Sequence, residues 1–394
     1  MGLRASEIRE LLKLTAQPDI ISFAGGLPAP ELFPTEQLKK VDDAVLTKEG
    51  REALQYGTTE GYNPLRKQIA ARMKQAFMVD CDIDNITITS GSQQGLSMLA
   101  QIFINPGDVI LVESPTYLGA INAFKLCKPE FVEVPTDDKG IIPEELEKIL
   151  EKYGDRVRMM YVIPEFQNPT GITWPLERRK AIMDIMNKHD IPIIEDDPYG
   201  ELRYEGESMP TLKSMDTQGN VIFLGSFSKI FMPGLRIGWI APGRYLQRVL
   251  HMKYMSTGMS AQLPQLALAE FIGEGQYQPH LRRMRSQYAR GRERMTAWVS
   301  QHFPATARVS QPQGGFMLWV EMPQGFDSQR LNRLLAPHKV QIAPGSIFSA
   351  AGKYRNCLRM NFATAMTADL EWAVRQVGQT VGELLSTTPS SEVP

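Results

Sequence analysis

Cysteine is scarce in this chain of 394 residues, and neither sign of charge is in clear excess. The three cysteines, Cys81, Cys127 and Cys357, stand far apart, with no C-x-x-C pair and no neighbouring histidine. This spacing excludes a zinc motif and a disulfide-rich fold, and it predicts reduced core thiols and no bound metal. The formal net charge of −1 gives no general attraction to nucleic acid or to an anionic membrane, so small molecules are the favoured partners.

Long apolar runs are also missing. Nowhere do 18 apolar residues follow one another, and the first residues mix acidic and basic side chains where a signal peptide has its apolar stretch. These features predict a cytoplasmic protein with no membrane contact. An apolar fraction of 43% is typical of a soluble globular chain, and the length suits two or three domains at about 150 residues each.

Short β-rich runs alternate with helical periodicity from about residue 86 onward. The predicted strands are 86–89, 109–112, 131–134, 159–163, 191–195 and 221–224, and the helices between them include 117–126, 143–153 and 175–189. Strands separated by helices of this length imply right-handed crossovers and a mostly parallel sheet covered on both faces.

The pattern changes after Arg244, where about 55 residues are helical, and again after Pro312. Strands at 316–322, 340–343 and 358–362, with helices near 328–335 and 368–385, indicate a smaller α+β unit. The first 45 residues have no sheet of their own, so we expect them to pack against this unit. The predicted division is an arm and helix at 1–45, a large domain at 46–290 and a small domain at 291–394, with a disordered tail at 387–394.

The stretch GSFSKIFMPGLRIGW, residues 225–239, is the strongest candidate for chemistry. Lys229 follows a predicted buried strand in a loop that also carries Ser226, Ser228 and Arg236. A desolvated lysine loses proton affinity, and its neutral amine can form a Schiff base with an aldehyde, while serines and an arginine suit a phosphate. The alternative from the residues alone is a surface loop with a solvated lysine.

Two further motifs follow predicted strands. EDDPYGEL, residues 195–202, places an acid at a strand end with a tyrosine three residues later, and EFQNPTG, residues 165–171, contains an Asn-Pro pair. Acids at such junctions are also common as turn or cap residues, and Asn-Pro initiates turns. Either motif can therefore be structural, functional or both.

Three other segments offer binding groups. TSGSQQG, residues 89–95, joins a strand to a helix, where free amides and the helix dipole favour a phosphate. ESPTYLGA, residues 113–120, carries Tyr117, which can stack on a planar ring or lie in the core. CLRMNFA, residues 357–363, places Arg359 on a strand, where it can bind a carboxylate ligand or form an internal salt bridge.

Together these motifs resemble the fold-type I aminotransferases of classes I and II, which depend on pyridoxal 5′-phosphate (PLP), over residues 5–385. The resemblance implies an α/β large domain with a mostly parallel seven-stranded sheet flanked by helices, and a smaller α+β domain. It implies that Lys229 carries PLP and that Asp196 contacts the pyridine nitrogen, which must stay protonated. Tyr199 and Asn168 would bind the phenolic oxygen.

The same resemblance assigns the remaining contacts of the cofactor and substrate. Tyr117 would stack on the pyridine ring, and Arg359 would bind the substrate α-carboxylate. Tyr56, in LQYGTTEGYNPLR, would reach the partner's cofactor phosphate and so implies a homodimer. The residues assigned to the phosphate are Gly91, Ser92, Gln93, Ser226, Ser228 and Arg236.

The segments ASEIRELLKL, residues 5–14, and ISFAGGLPAPELFP, residues 21–34, are most similar to the branch containing 2-aminoadipate aminotransferase and kynurenine aminotransferase II. By this resemblance Arg9 would bind the far carboxylate of acidic substrates, and Gly26 would line the pocket. Arg9 lies on an amphipathic stretch, so the alternative is that it faces water.

The expected function is ping-pong transfer of the amino group of an L-amino acid (2-aminoadipate, aromatic or branched-chain) to 2-oxoglutarate. One alternative is a PLP-dependent lyase or decarboxylase on the same scaffold. Another is a non-enzymatic PLP-binding regulator domain; such regulators carry a basic winged helix-turn-helix ahead of this scaffold, and about 20 residues precede ISFAGG here. The arginine-rich stretch 281–295 is expected to be the solvated face of a helix and not a nucleic-acid site.

Overall fold

The computed structural model describes residues 19–387 of the chain. This range forms twelve α-helices, which are α1 (Thr35–Ala53), α2 (Asn63–Phe77), α3 (Ser92–Phe103), α4 (Leu118–Lys125), α5 (Pro143–Tyr153), α6 (Leu176–His189), α7 (Leu212–Met215), α8 (Leu246–Thr257), α9 (Gln262–Gly273), α10 (Tyr277–His302), α11 (Ser328–Leu335) and α12 (Ala368–Thr387). It also forms fourteen β-strands, which are β1 (Ile21–Ser22), β2 (Thr87–Thr89), β3 (Val109–Ser114), β4 (Glu130–Asp137), β5 (Gly140–Ile141), β6 (Val157–Val162), β7 (Ile193–Asp197), β8 (Val221–Ser226), β9 (Gly238–Ala241), β10 (Arg308–Val309), β11 (Met317–Glu321), β12 (Val340–Gln341), β13 (Ala343–Pro344) and β14 (Cys357–Asn361).

The largest sheet of the described chain has eight strands in the order β2-β9-β8-β7-β6-β3-β4-β5. Strands β8, β7, β6, β3 and β4 run parallel, and β9, β2 and β5 are antiparallel to their neighbours. The predicted α/β class with a mostly parallel sheet is confirmed. The sheet has one strand more than the predicted seven, because Gly140 and Ile141 turn back and pair with the end of β4.

The central strands are apolar on both faces because helices cover both sides of the sheet. In β3, Ile110 and Val112 pack in a cluster with side chains of α3 and α4. The alternate residues Val109 and Leu111 pack in a different cluster with side chains of α5 and α6. The two-residue period of a strand thus directs successive side chains into two cores.

The C-terminal region contains an antiparallel sheet in the order β10-β11-β14-β13. The strand predicted at 340–343 is two strands, because β12 pairs with β1 and β13 pairs with β14. The N-terminal segment is thereby attached to the C-terminal region, while α1 packs against α9. One continuous helix, α10, runs through residue 290, and the predicted domain boundaries stay a prediction.

The motif-bearing loops leave the large sheet at one edge. Strands β3, β6, β7 and β8 are parallel, so their carboxyl ends meet there. Thr89 at the end of β2 pairs with Gly238, which pairs with Ser226 at the end of β8. The end of β2 therefore reaches the same edge, where ligands of open α/β sheets bind.

Residues 19–387 lack membrane-spanning helices and clusters of metal ligands. No helix in this range is both long and apolar enough to cross a membrane. No group of three or more His, Cys, Asp or Glu side chains in it could hold a metal ion. All three cysteines are free, but only Cys357 is buried, whereas Cys81 and Cys127 are half-buried.

Candidate active site

A cavity of about 150 Å³ lies at this edge of the large sheet, between it and the C-terminal sheet. Its polar lining consists of side chains or backbone from six of the predicted site residues: Gly26, Tyr117, Asn168, Tyr199, Lys229 and Arg359. Leu27, Leu118, Ile347 and Phe348 supply an apolar wall. The structure therefore brings together groups that are up to 333 residues apart in the chain, from Gly26 to Arg359.

Lys229 projects from the loop after β8, and its Nζ donates a hydrogen bond to the backbone oxygen of Gly26 at 2.6 Å. Burial, together with repulsion from Arg359 and Arg236, lowers the pKa of Lys229 from 10.5 to about 8, and attraction to Asp196 opposes this. At this pKa roughly a fifth of the amine is neutral near physiological pH, far more than for an ordinary lysine. That is the state in which a lysine acts as a nucleophile or base.

Asp196 lies near the end of β7 and is 1% exposed. Its Oδ2 accepts a hydrogen bond from the hydroxyl of Tyr161 at 2.8 Å, and its buried Oδ1 has no hydrogen-bond partner within residues 19–387. Burial raises the pKa of Asp196 to about 7, against the opposing effects of Tyr161 and Lys229. A buried carboxylate oxygen without a partner is costly, so this oxygen is a position for a ligand proton donor.

Arg359 links the C-terminal sheet to the cavity. It lies in β14, and its Nη1 donates to Oδ1 of Asn168 at 2.7 Å while its Nη2 donates to the backbone oxygen of Ala24 at 2.5 Å. Its Nε is buried and has no partner among the described residues. Burial lowers the pKa of Arg359 to about 10. The guanidinium is thus fixed beside Phe348, 4.8 Å from the ring centroid, with donor capacity left for an anion.

Two aromatic side chains complete the cavity. Tyr199 is 1% exposed, and its ring packs edge-on against Phe316 with centroids 5.4 Å apart. Burial raises the pKa of Tyr199, so its hydroxyl stays protonated and able to donate. Tyr117 is half-buried at the start of α4, and a Cβ at Gly119 would overlap its ring, so a glycine at 119 leaves room for the ring.

An arginine and two serines form a cluster between β2 and β8. Nη1 of Arg236 donates to Oγ of Ser228 at 3.1 Å, and its Nη2 donates to the backbone oxygen of Ser90 at 3.1 Å. The amide of Ser228 donates in turn to Oγ of Ser226 at 3.1 Å. This cluster is cationic and rich in hydroxyls, as a phosphate site requires.

The N-terminus of α3 adjoins this cluster. Gly91 has a φ of +74°, which favours a glycine, and a Cβ there would displace the guanidinium of Arg236. Ser92 and Gln93 open the helix, where the first amides have no partners within the helix and favour an anion. The side-chain amide of Gln93 donates to the backbone oxygen of Gly119 at 3.2 Å, which directs it toward the Tyr117 loop.

This geometry does not test the roles predicted for Tyr56 and Arg9. Tyr56 is 88% exposed within the single chain. Arg9 lies outside the described residues. Their roles therefore stay predictions.

Sequence reasoning missed the residue that holds Asp196 in place. Tyr161 pairs in register with Ile194, and Asp196 lies two residues further on the same face of the sheet. Burial and the proximity of Asp196 raise the pKa of Tyr161, so its hydroxyl remains a donor to this carboxylate. The only indication in the sequence was the hydroxyl of Tyr161, which is the one polar side-chain group in the stretch MMYV.

The residues of this site fit PLP. Asp196 offers a partnerless buried oxygen for a protonated ring nitrogen, and Lys229 offers an amine of lowered pKa for the aldehyde. The Arg236 cluster at the start of α3 offers cation, hydroxyl and amide groups for the phosphate. A Schiff-base amine, an acid for the ring nitrogen and a phosphate site are the roles that the sequence resemblance assigns to these residues.

Comparison with known proteins agrees with the fold. The family model for aminotransferases of class I and II matches residues 24–377, and the chain belongs to this family. The chain is 39% identical over 388 residues to aromatic-amino-acid aminotransferase 1 of Thermococcus litoralis, covering 97% of this chain and 93% of that protein. Such similarity over almost the whole chain shows a transaminase, as predicted.

Two further similarities concern the 2-aminoadipate branch and the alternative of a regulator domain. LysN, the α-aminoadipate aminotransferase of Thermus thermophilus solved with N-(5′-phosphopyridoxyl)-L-leucine, has a TM-score of 0.90 and 35% identity, covering 98% of this chain and 96% of that chain. The chain is also 37% identical over 376 residues to YjiR, an uncharacterised HTH-type transcriptional regulator of Escherichia coli, covering 95% of this chain and 79% of that protein.

Proposed function

We propose that this PLP-dependent aminotransferase moves the amino group of an L-amino acid to 2-oxoglutarate by a ping-pong mechanism. The donor is 2-aminoadipate or an aromatic or branched-chain amino acid. The observation that carries the proposal is the convergence of Lys229 and Arg359 on one cavity, with the Asp196 carboxylate behind it. A nucleophile or base, an anion site and an acid for a ring nitrogen are the groups that transamination needs.

Bound PLP supplies the aldehyde that stores the amino group and the ring that accepts the electron pair released from the substrate Cα. The chain supplies the proton handling and the positioning. Nζ of Lys229 would take the proton from the substrate Cα and pass it to the cofactor carbon that is bonded to the amino nitrogen. Oδ1 of Asp196 holds the ring-nitrogen proton, while Tyr161 fixes the orientation of this carboxylate through Oδ2.

Arg359 binds the α-carboxylate that amino-acid donor and oxoacid acceptor share. We expect Arg359→Gln to raise KM for both substrates by roughly 10–100-fold, because charge-assisted hydrogen bonds are lost. Arg359→Lys keeps the charge but loses the bidentate geometry of a guanidinium, so its KM values should lie between those of the parent and Arg359→Gln. Steady-state kinetics with each substrate varied in turn would test this, and an unchanged KM for either substrate would contradict it.

The pKa of Lys229 gives a pH prediction for reconstitution. Because the neutral amine is the nucleophile, the rate at which apoenzyme takes up PLP should rise about tenfold per pH unit below about pH 8 and level off above it. Stopped-flow absorbance of apoenzyme mixed with PLP, from pH 6 to pH 10, measures this rate. A rise that continues to pH 10 would mean that this lysine keeps an ordinary pKa.

The donor is tested by single-turnover reactions. Holoenzyme mixed with 2-aminoadipate, leucine or phenylalanine, without acceptor, should lose its visible absorbance, and 2-oxoglutarate should restore it. The apolar wall of Leu27, Leu118, Ile347 and Phe348 supports aliphatic and aromatic donors. Pyruvate and ammonia released without any acceptor would instead indicate a lyase.

The proposed role of Arg9 is tested in the same reactions. Arg9→Ala should slow the reaction with 2-aminoadipate roughly tenfold and leave leucine unchanged, because only the acidic donor has a second carboxylate. If acidic donors react no faster than aliphatic ones and Arg9→Ala changes nothing, Arg9 does not bind substrate.

We also propose that the protein is a homodimer in which Tyr56 of one chain contacts the cofactor phosphate of the other. The exposure of this tyrosine, 88%, together with that of Leu54, 75%, supports the proposal, because apolar side chains exposed side by side mark interaction surfaces. The similarity to a transcriptional regulator keeps a PLP-binding sensor as the second candidate. Net transfer of the amino group in the single-turnover reactions would favour the enzyme.

A further inference from the structure

A second cavity, of about 350 Å³, lies behind the turn that follows Tyr199. Tyr199 faces the active-site cavity, whereas Gly200 and Glu201 line the second one, so this short turn separates the two. The volume falls in the range of small-molecule sites, about 300–1,000 Å³. Its charged and amide lining consists of Arg72, Arg203, Arg285, Glu201, Gln75 and Gln278.

The lining has more positive than negative charge. Glu201 is its one carboxylate among the described residues, and it is already bound by Arg72 and by the hydroxyl of Tyr277 at 3.2 Å. Arg203 is paired with Glu165, outside the lining. Arg285 donates through Nε to the backbone oxygen of Glu201 at 2.7 Å, and no carboxylate within residues 19–387 is paired with it. The guanidinium of Arg285 therefore has charge and donors left for a ligand.

Arg72 adds a buried donor without an acceptor. It is 7% exposed and its guanidinium carbon lies 3.8 Å from the ring centroid of Tyr277, but its Nε is buried and has no hydrogen-bond partner in the described part of the chain. A buried charged donor is normally satisfied, and guanidinium groups match the oxygens of phosphate and carboxylate. An oxyanion in this cavity would lie beside the Arg72 side chain and neutralise Arg285.

We propose that this cavity is a binding site for a small oxyanion, a phosphate or carboxylate group carried by a metabolite, with Arg72 and Arg285 as its principal contacts. It is separate from the Arg236 cluster that we assign to the cofactor phosphate. It goes beyond the proposed transamination and does not depend on it.

The test is calorimetric titration of holoenzyme with inorganic phosphate, and separately of Arg359→Gln holoenzyme with acetate, against potassium chloride of equal ionic strength. The Arg359→Gln variant is used for acetate because Arg359 is itself assigned to a carboxylate. Holoenzyme is used so that the cofactor's own phosphate fills the Arg236 cluster. We expect one saturable site per chain, and the probe that binds more tightly identifies the group. Arg285→Gln should weaken binding at least about tenfold, because a charge-assisted contact is lost.

Two further variants make the test decisive. Gln278→Glu puts a negative charge at an exposed rim position of the cavity without altering a buried contact, and it should also weaken binding about tenfold. Arg282→Gln removes the same charge as Arg285→Gln from an exposed position of α10 outside the lining, and it should bind as the parent does. No saturable binding beyond chloride, undiminished binding in Arg285→Gln, or an equal loss in Arg282→Gln would overturn the proposal.

Discussion

Replacement of Lys229 by alanine is expected to lower kcat by roughly 10⁴-fold and to leave a protein that loses its PLP on dialysis. The substitution removes both the covalent attachment and the proton carrier, and positioned acid–base groups alone contribute about 10²–10⁴-fold. The measurement is steady-state turnover, with the visible spectrum recorded before and after dialysis.

A chemical rescue distinguishes loss of the amine from loss of the fold. Methylamine added to Lys229→Ala should restore part of the turnover, because a small amine can occupy the space beside the Gly26 carbonyl that Nζ leaves. Turnover that equals the parent's without any added amine would show that another group performs this role.

Replacement of Asp196 by asparagine is expected to lower kcat/KM by roughly 10³-fold, because a neutral amide does not keep the ring nitrogen protonated. Asp197→Asn is the matched control. Oδ1 of Asp197 accepts a hydrogen bond from the backbone amide of Gly200 at 2.6 Å. The side-chain oxygen of an asparagine can accept the same hydrogen bond. Turnover of the control should stay within about tenfold of the parent, and equal losses in both variants would contradict the assignment of Asp196.

We expect Asp196→Asn also to stabilise the apoenzyme. The pKa of Asp196 is raised to about 7 by burial, so the carboxyl binds its proton more tightly in the folded chain than in the unfolded chain. The free energy of unfolding therefore falls as the pH rises from about 4 to about 7 and stays low above that. In urea unfolding at pH 8, apo Asp196→Asn should be more stable than the apo parent by roughly 2–4 kcal/mol.

Residues at strand ends were the most predictable part of the site. The loops after β7 and β8 carry Asp196 and Lys229, and the parallel order of these strands requires both loops to leave the same edge. The sequence therefore predicts that the two motifs lie close together. The helix α5 at Pro143–Tyr153 was equally clear because one face is apolar at helical spacing.

Contacts between distant segments were less predictable. Strands β1 and β12 are two residues each, which is too short for any periodicity, yet their pairing carries Ala24 and Gly26 to Arg359 and Lys229. Tyr161 was missed because its strand has the composition of a core strand, and only the register with β7 shows what its hydroxyl binds. Sequence pattern identified the chemical groups, but pairing register determines their partners.

The covalent site of the cofactor is tested most directly by reducing native holoenzyme with sodium borohydride and mapping its peptides by mass spectrometry. We predict one phosphopyridoxyl group per chain, on Lys229. Lys253 is the internal comparison, because it is fully buried and burial lowers its pKa to about 7, yet it lies outside the lining of the active-site cavity. A modification on Lys253 or on any other lysine, with Lys229 unmodified, would contradict the mechanism.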